Sequence, residues 1–522
     1  MTELIGPAGA LSPEAVLHLP GARRHCARVL ADLRSGLTCV WLFADAEVES
    51  DRADRALEAV IHRLDHVVDV PRKETRPRTA PRTATPHARD QWDALDTEDA
   101  PVPGTSEDAF DIDDGFEIND GFEINDGFEI DDGFDIDDGF GDWDPFGLSG
   151  QAGGSGPSEA RPLAAAATAR SCDSPDSDIA VRLADSLNLR GDLVSELVAD
   201  PDRRAPVLVV RAWTESDPLA VSRLIRRFQA AVKEAGLKPG DRPRLLVASR
   251  LQDLEADTVG LLDGTVSRPH WWWGVWSHLD TATVVADAIP HVGVGHAHDR
   301  MTPGKLIRHA LRCETVVQVA GPDLGLAVQL ADTWSGKVKD LASALRECRA
   351  LPAAQGAHAR ATSGAAYAPF PEQGLREAWS AGLVDSWEGQ IRRSPRSGAA
   401  AHGAPELDKL VWQAQNRVLL PLIDDARLGF VELLPRIAVR GVARLVDTYV
   451  RQSLRDANGS APDLASMELG ELYDAAVHRD IDLTEGQFRR LRTLRWARNK
   501  LAHRTPLDDA LLQDLLDALS SF

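Results

Sequence analysis

The sequence predicts a multidomain chain: an α/β unit built on a parallel sheet and interrupted by an acidic insert, then an all-α helical bundle. Three observations carry this. Short apolar runs alternate with amphipathic helical stretches over residues 1–70 and 178–355. An acidic six-residue repeat stands between those two stretches, and from residue 404 onward only helical periodicity remains. The expected segmentation is 1–70, first part of the α/β domain; 71–177, a disordered insert; 178–355, the rest of that domain with a helical lid; 356–403, a flexible linker; and 404–522, the bundle.

Length and composition set bounds first. A chain of 522 residues has room for roughly two to four domains. The five cysteines, Cys26, Cys39, Cys172, Cys313 and Cys348, are far apart and form no Cys-x-x-Cys pair, which argues against a disulfide framework or a structural zinc site. The opening MTELIGPAGALSPEAV has no basic and apolar leader pattern, and no run approaches the roughly 18 apolar residues of a membrane span. A cytoplasmic protein without membrane contact is expected. The net charge of −23 is local: 22 Asp and Glu, with no Lys or Arg, lie between Asp90 and Asp144, leaving −1 on all other residues.

In order, Gly21–Ser35 reads as a helix, Leu37–Phe43 as a buried strand and Asp51–Asp65 as a helix. The loop between strand and second helix, Ala44–Ser50, has no glycine to bring backbone close to a phosphate and no lysine to neutralise one. After the insert, helical segments at Ile179–Leu189 and Asp192–Ala199 precede a strand at Val207–Ala212 and an amphipathic helix at Pro218–Ala235. Further strands are expected at Leu245–Ala248 and Thr283–Ala286, with Thr315–Val319 open between strand and helix.

This strand and helix order resembles a P-loop NTPase of the AAA/STAND kind. The chain nevertheless has no G-x-x-x-x-G-K-[ST] sequence, and Val207–Val210 runs into Arg211 where that family places an acid. The resemblance therefore implies a degenerate domain that does not hydrolyse ATP and needs no cofactor, acting as a sensor or dimerisation platform.

The insert repeats DDGFEI, NDGFEI, NDGFEI, DDGFDI and DDGF, with Phe110, Phe116, Phe122, Phe128, Phe134 and Phe140 six apart. Dense negative charge with a glycine in each unit does not repay the entropy of ordering. Three roles are open for it: a multivalent ligand for a protein partner, a decoy covering basic surface, or a weak calcium sink. Two other runs stand out. His270-Trp271-Trp272-Trp273-Gly274-Val275-Trp276 suits base stacking, but tryptophans more often brace a core or interface, and packing is expected. His291, His296 and His298 have no Cys or acid at ligand spacing, so a polar loop rather than a metal site is expected.

The bundle is expected from helices at Leu407–Ala426, Arg436–Ala457 and Asp463–His478, a basic helix, and a last helix after Thr505-Pro506-x-Asp508. The basic stretch Leu491–Thr505, LRTLRWARNKLAHRT, is the chemical centre of the chain. Thr484 and Gln487 have capping-box spacing, and Phe488, Leu491, Leu494 and Leu501 can form one apolar stripe. Arg498-Asn499-x-x-x-His503 then places a phosphate clamp, an orienting amide and a proton carrier within one or two turns. Arg492, Arg495, Lys500 and Arg504 add positive charge for RNA binding.

That Arg-Asn-x-x-x-His motif, in an arginine-rich penultimate helix, resembles the Arg-x(4–6)-His motif of the HEPN superfamily of helical bundles. The resemblance implies a metal-independent endoribonuclease or RNA-binding effector, as found in bacterial defence and toxin systems. Arg498, Asn499 and His503 would be catalytic, and a homodimer through the bundle would complete the site. The alternative from another class is a non-catalytic scaffold, with the bundle pairing and the Phe repeat recruiting a protein partner.

Overall fold

The TCVWL run Thr38–Leu42 (β1) is apolar along its whole length and buried at every residue, as a strand covered on both faces must be. It follows two helices, Pro13–Val16 (α1) and Pro20–Arg34 (α2), each opened by a proline whose missing N–H costs nothing in a first turn. Asp45–Glu49 (α3), Arg52–Ile61 (α4) and the edge strand Val67–Asp69 (β2) come next. The computed structural model describes residues 4–5, 11–70, 179–199, 206–289, 302–348, 370–397, 404–450 and 464–520. The acidic repeat and His291, His296 and His298 lie outside the described residues.

Ile179–Ser186 (α5) and Leu193–Ala199 (α6) lead into Val207–Arg211 (β3). Pro218–Glu234 (α7), Arg244–Ser249 (β4) and Ser267–Trp271 (β5) complete a five-stranded sheet of order β2-β3-β4-β1-β5. Every pair is parallel, and Cys39 of β1 stands opposite Leu246 on one side and Arg268 on the other. The chain is thus mixed α/β with a parallel sheet and extensive helical regions.

One strand expectation is corrected and one open reading is decided. Thr283–Ala286 lies inside the helix His278–Ala288 (α8), which Ser277 and Asp280 open as a capping box. Thr315–Val319 forms the last turns of the helix Pro303–Ala320 (α9). Both runs are rich in β-branched residues, yet Val284 and Val285 are buried between exposed Thr283 and Ala286, while Thr315–Val319 is buried throughout, so packing overrides intrinsic preference. The fifth strand is instead Ser267–Trp271, which contains Pro269; a proline is tolerated there because β5 pairs only with β1 and forms the sheet edge.

Leu324–Thr333 (α10) and Leu341–Glu347 (α11) pack with α8 and α9 into a helical layer of its own core. The stretch 356–403, expected as a flexible linker, contains the helix Arg376–Ser380 (α12) and an antiparallel hairpin of Val384–Trp387 (β6) and Gln390–Arg393 (β7). Its two-residue turn, Glu388-Gly389, has positive φ at both positions (51° and 75°), the conformation that matches hairpin twist.

The C-terminal part consists of Ala404–Ile437 (α13), Val442–Tyr449 (α14), Leu469–Val477 (α15), Glu485–Ala502 (α16) and Asp509–Ser520 (α17). The expected break near residue 426 is absent: α13 runs through Pro421 and Pro435, and the next helix begins only at Val442. Its core joins Leu419, Ile423 and Leu434 of α13 to Leu491, Leu494 and Leu501 of α16 and Leu515 of α17. Leu311 of α9 belongs to that same core, whereas Val316, Val317, Val319 and Ala320 of α9 belong to the core shared with α8, α10 and α11. Among the described residues, no helix is long and apolar enough to cross a membrane.

Candidate functional site

The basic helix α16 forms as its sequence dictates. Thr484 Oγ1 accepts from the Gln487 N–H at 3.3 Å, and Gln487 Oε1 accepts from the Thr484 N–H at 2.9 Å, which closes the capping box. Its other end is a Schellman turn: the Thr505 N–H donates to Lys500 O at 2.9 Å, and the Arg504 N–H to Leu501 O at 3.2 Å. The left-handed residue is Arg504, at φ 57°, where glycine is the unstrained choice. Gln415 of α13 holds the following loop by exchanging hydrogen bonds with the Leu507 backbone at 2.7 and 2.9 Å.

On this helix Asn499 and His503 are about 40° apart, whereas Arg498 and His503 are about 140° apart. Arg498 and His503 are exposed, and Asn499 is half-buried. Arg498 Nη2 lies 3.9 Å from Glu468 Oε2, just before α15. No hydrogen bond or ion pair among the described residues joins the side chains of Arg498, Asn499 and His503. Asn499 and His503 instead share a face with Arg492 and Lys500.

Trp496, 60% exposed, sits in the middle of that face. Sequence reasoning passed over it, although an aromatic residue one turn from Arg492 and Lys500 was a visible signal. The Lys500 ammonium lies 5.6 Å from the Trp496 ring centre and 3.9 Å from Asp508 Oδ2. Arg495 stacks over Tyr473 at 4.4 Å, and the Arg504 guanidinium lies 5.9 Å from the ring of Trp412, whose indole donates to Leu501 O at 2.6 Å. The surface thus presents positive charges with an open aromatic ring among them.

A second feature lies at the carboxyl ends of β1 and the edge strand β5, the end of the sheet at which open α/β folds hold ligands. A cavity of about 330 Å³ opens there, lined by the loop after β1, by Trp272 and Trp276, and by Trp379 with residues of the β6–β7 hairpin. Glu47 takes the position of a phosphate loop and is paired to Arg52 by hydrogen bonds of 2.7 and 3.0 Å. All four tryptophans of the 271–276 run are buried, so the run packs. Where a magnesium-binding acid would follow β3, Arg211 bonds Asp54 at 2.9 Å and Asp69 at 2.6 and 2.7 Å.

Asp385, in the cavity wall, accepts at Oδ1 from the N–H groups of Gly274 (2.9 Å) and Ser386 (2.7 Å). Burial pushes its carboxyl up to about 7, with the nearby Glu47 charge acting the same way. An acid raised in the folded state holds a proton that the unfolded chain has released, so its contribution falls as pH rises from about 4 to about 7 and is lowest above that. Asp385→Asn keeps the Oδ1 acceptor and removes the charge. The variant should gain up to about 4 kcal/mol over wild type at pH 8 and much less at pH 4.5, as read by urea unfolding. Equal gains at both pH values would exclude this account.

The groups that sequence reasoning missed here, Trp379, Asp385 and Arg392, lie in the stretch taken as a linker. Glu388-Gly389 between two short alternating runs was the available signal. No protein-family model, curated protein or solved structure matches the chain.

Proposed function

We propose that the C-terminal bundle is an RNA-binding effector of the HEPN kind that cuts RNA without a metal, controlled by a degenerate NTPase-like domain. The all-parallel sheet with its first strand between β4 and β5 supports the NTPase-like reading. Arg211 and Glu47, where phosphate and magnesium ligands would stand, support its being inactive toward ATP.

The observation that carries the RNA reading is Trp496, an exposed ring for a base to stack on, set among Arg492, Lys500 and Arg504. For cleavage, His503 takes the proton of a ribose 2′-hydroxyl as its oxygen attacks the adjacent phosphorus. Arg498 offsets the charge on the phosphorane, Asn499 orients the histidine, and the 5′-oxygen leaves with a proton, giving a 2′,3′-cyclic phosphate. Since Arg498 and His503 face apart within one chain, a second copy paired through the bundle brings the two together. Defence or toxin action is the matching physiological role.

Arg504 supplies a test in which stability and function move oppositely. Arg504→Gly relieves a left-handed arginine and should raise stability by about 1 kcal/mol. On this reading it also weakens single-stranded RNA binding several-fold and makes the affinity less salt-dependent, as measured by fluorescence anisotropy on the full chain. Trp496→Ala should weaken binding by about 1–3 kcal/mol with the salt dependence unchanged. Wild-type affinity in both variants would remove the RNA-binding face.

A further inference from the structure

We propose that the cavity at the carboxyl ends of β1 and β5 is a binding site for a small organic anion with a planar aromatic body, a carboxylate or a phosphate monoester. The argument rests on groups whose bonding capacity the protein leaves unused there. Among the described residues the Trp272 indole N–H, on a residue only 3% exposed, is a buried donor with no hydrogen-bond partner, and Gln329 Oε1 is a buried acceptor in the same condition. Both residues line the cavity. Native structures rarely leave such atoms without a partner, and a ligand is one way of supplying it.

The charges in the wall identify the kind of ligand. Arg52 is already matched by Glu47, and Arg396 lies 2.6 Å from Asp323. Arg392 is different. It donates one hydrogen bond to Gln318 O and lies 4.7 Å over the Trp387 ring, and among the described residues no carboxylate is within ion-pair distance, although the charge of Glu406 acts on it from further away. Burial accordingly lowers its guanidinium to about 10. Arg392 can receive an incoming anion, and its fork suits a carboxylate or a phosphate monoester.

The remaining features fix the rest of the ligand. Trp276 and Trp379 provide flat apolar walls. Gln329 Oε1 calls for an N–H or O–H on the ligand. A nucleoside triphosphate does not fit this description: the loop after β1 offers the acids Asp45, Glu47 and Glu49 in place of glycines and a lysine, and about 330 Å³ is near the lower limit for small-molecule sites.

The test titrates the full chain with 4-aminobenzoate and with 4-aminophenyl phosphate, following tryptophan fluorescence and calorimetric heat. Benzylamine and magnesium-ATP are the comparison ligands. At least one aromatic anion should bind saturably with a Kd of about 1 mM or tighter, and which of them binds separates the carboxylate source from the phosphate source. Arg392→Gln should weaken binding at least about tenfold. Trp272→Phe should weaken it about fivefold, while the ligand-free variant melts at or above the wild-type temperature because it has lost an unpartnered donor. If Arg392→Gln does not fold, Trp272→Phe decides. The proposal is overturned if neither anion binds, if benzylamine binds as well as they do, if magnesium-ATP binds more tightly than both, or if the variant that folds binds like wild type.

Discussion

Arg211→Met is expected to lower the stability of the chain by about 2–3 kcal/mol, read as a reduced urea midpoint with little change in slope. The Arg211 side chain is 6% exposed and joins the end of β3 to Asp54 of α4 and Asp69 of β2. Methionine fills the space but leaves two carboxylates facing each other. The cost is set by the less sheltered of them, since Asp69 is 45% exposed and water will screen part of its charge. Adding Asp54→Asn and Asp69→Asn to Arg211→Met should recover most of the loss, because the penalty comes from the lost guanidinium–carboxylate contacts rather than from lost volume. A single variant as stable as wild type would mean that the triad is solvated and structurally idle.

The second large effect concerns catalysis. If the bundle cleaves RNA, His503→Ala in the full chain should reduce the rate by about 10²–10⁴-fold in the presence of EDTA, the range expected for loss of a general acid or base. Arg498→Ala should cut the rate comparably. The informative experiment mixes the two inactive variants. With Arg498 and His503 on different sides of one helix, a site shared between copies predicts partial recovery in the mixture, because hybrid pairs carry one intact combination. A site contained within one chain predicts none. Cleavage unaffected by His503→Ala would remove the histidine from the reaction and favour a binding or scaffolding bundle.

The legible parts of the fold are those whose signals are local. β1, β3 and β4 are unbroken apolar runs, and central parallel strands need nothing else to be recognised. The α16 cap could be read from Thr484 and Gln487 because a capping box is a contact between residues three apart. What failed depended on distant neighbours. TVVA in α8 is strand-like by composition and TVVQV in α9 is open between strand and helix, and only the elements packed around them make both helical. Ser267–Trp271 reads as a strand only once β1 is beside it.

The candidate site divides in the same way. The charges and Trp496 are visible on a helical wheel, and so, in retrospect, is the angle separating Arg498 from His503. The direction Arg498 takes depends on Glu468, thirty residues earlier, which no local pattern announces. The cavity was still harder to anticipate, since its walls come from 44–52, 272–276, 320–329 and 379–396. No motif spans such separations.

The helix α9 gives the molecule a particular cohesion. Its first half contributes Leu311 to the core of the C-terminal helices, and its last turns reach the core shared with α8, α10 and α11 and, at Ala320, the cavity edge. The backbone of Val338, just before α11, also donates to Asp509 of α17 at 2.9 Å. The C-terminal helices are therefore not a detachable module, because excising them at residue 404 removes one wall of their own interior and bares the seat of Leu311. Loosening either half strips partners from the other, so the two are expected to unfold in one transition.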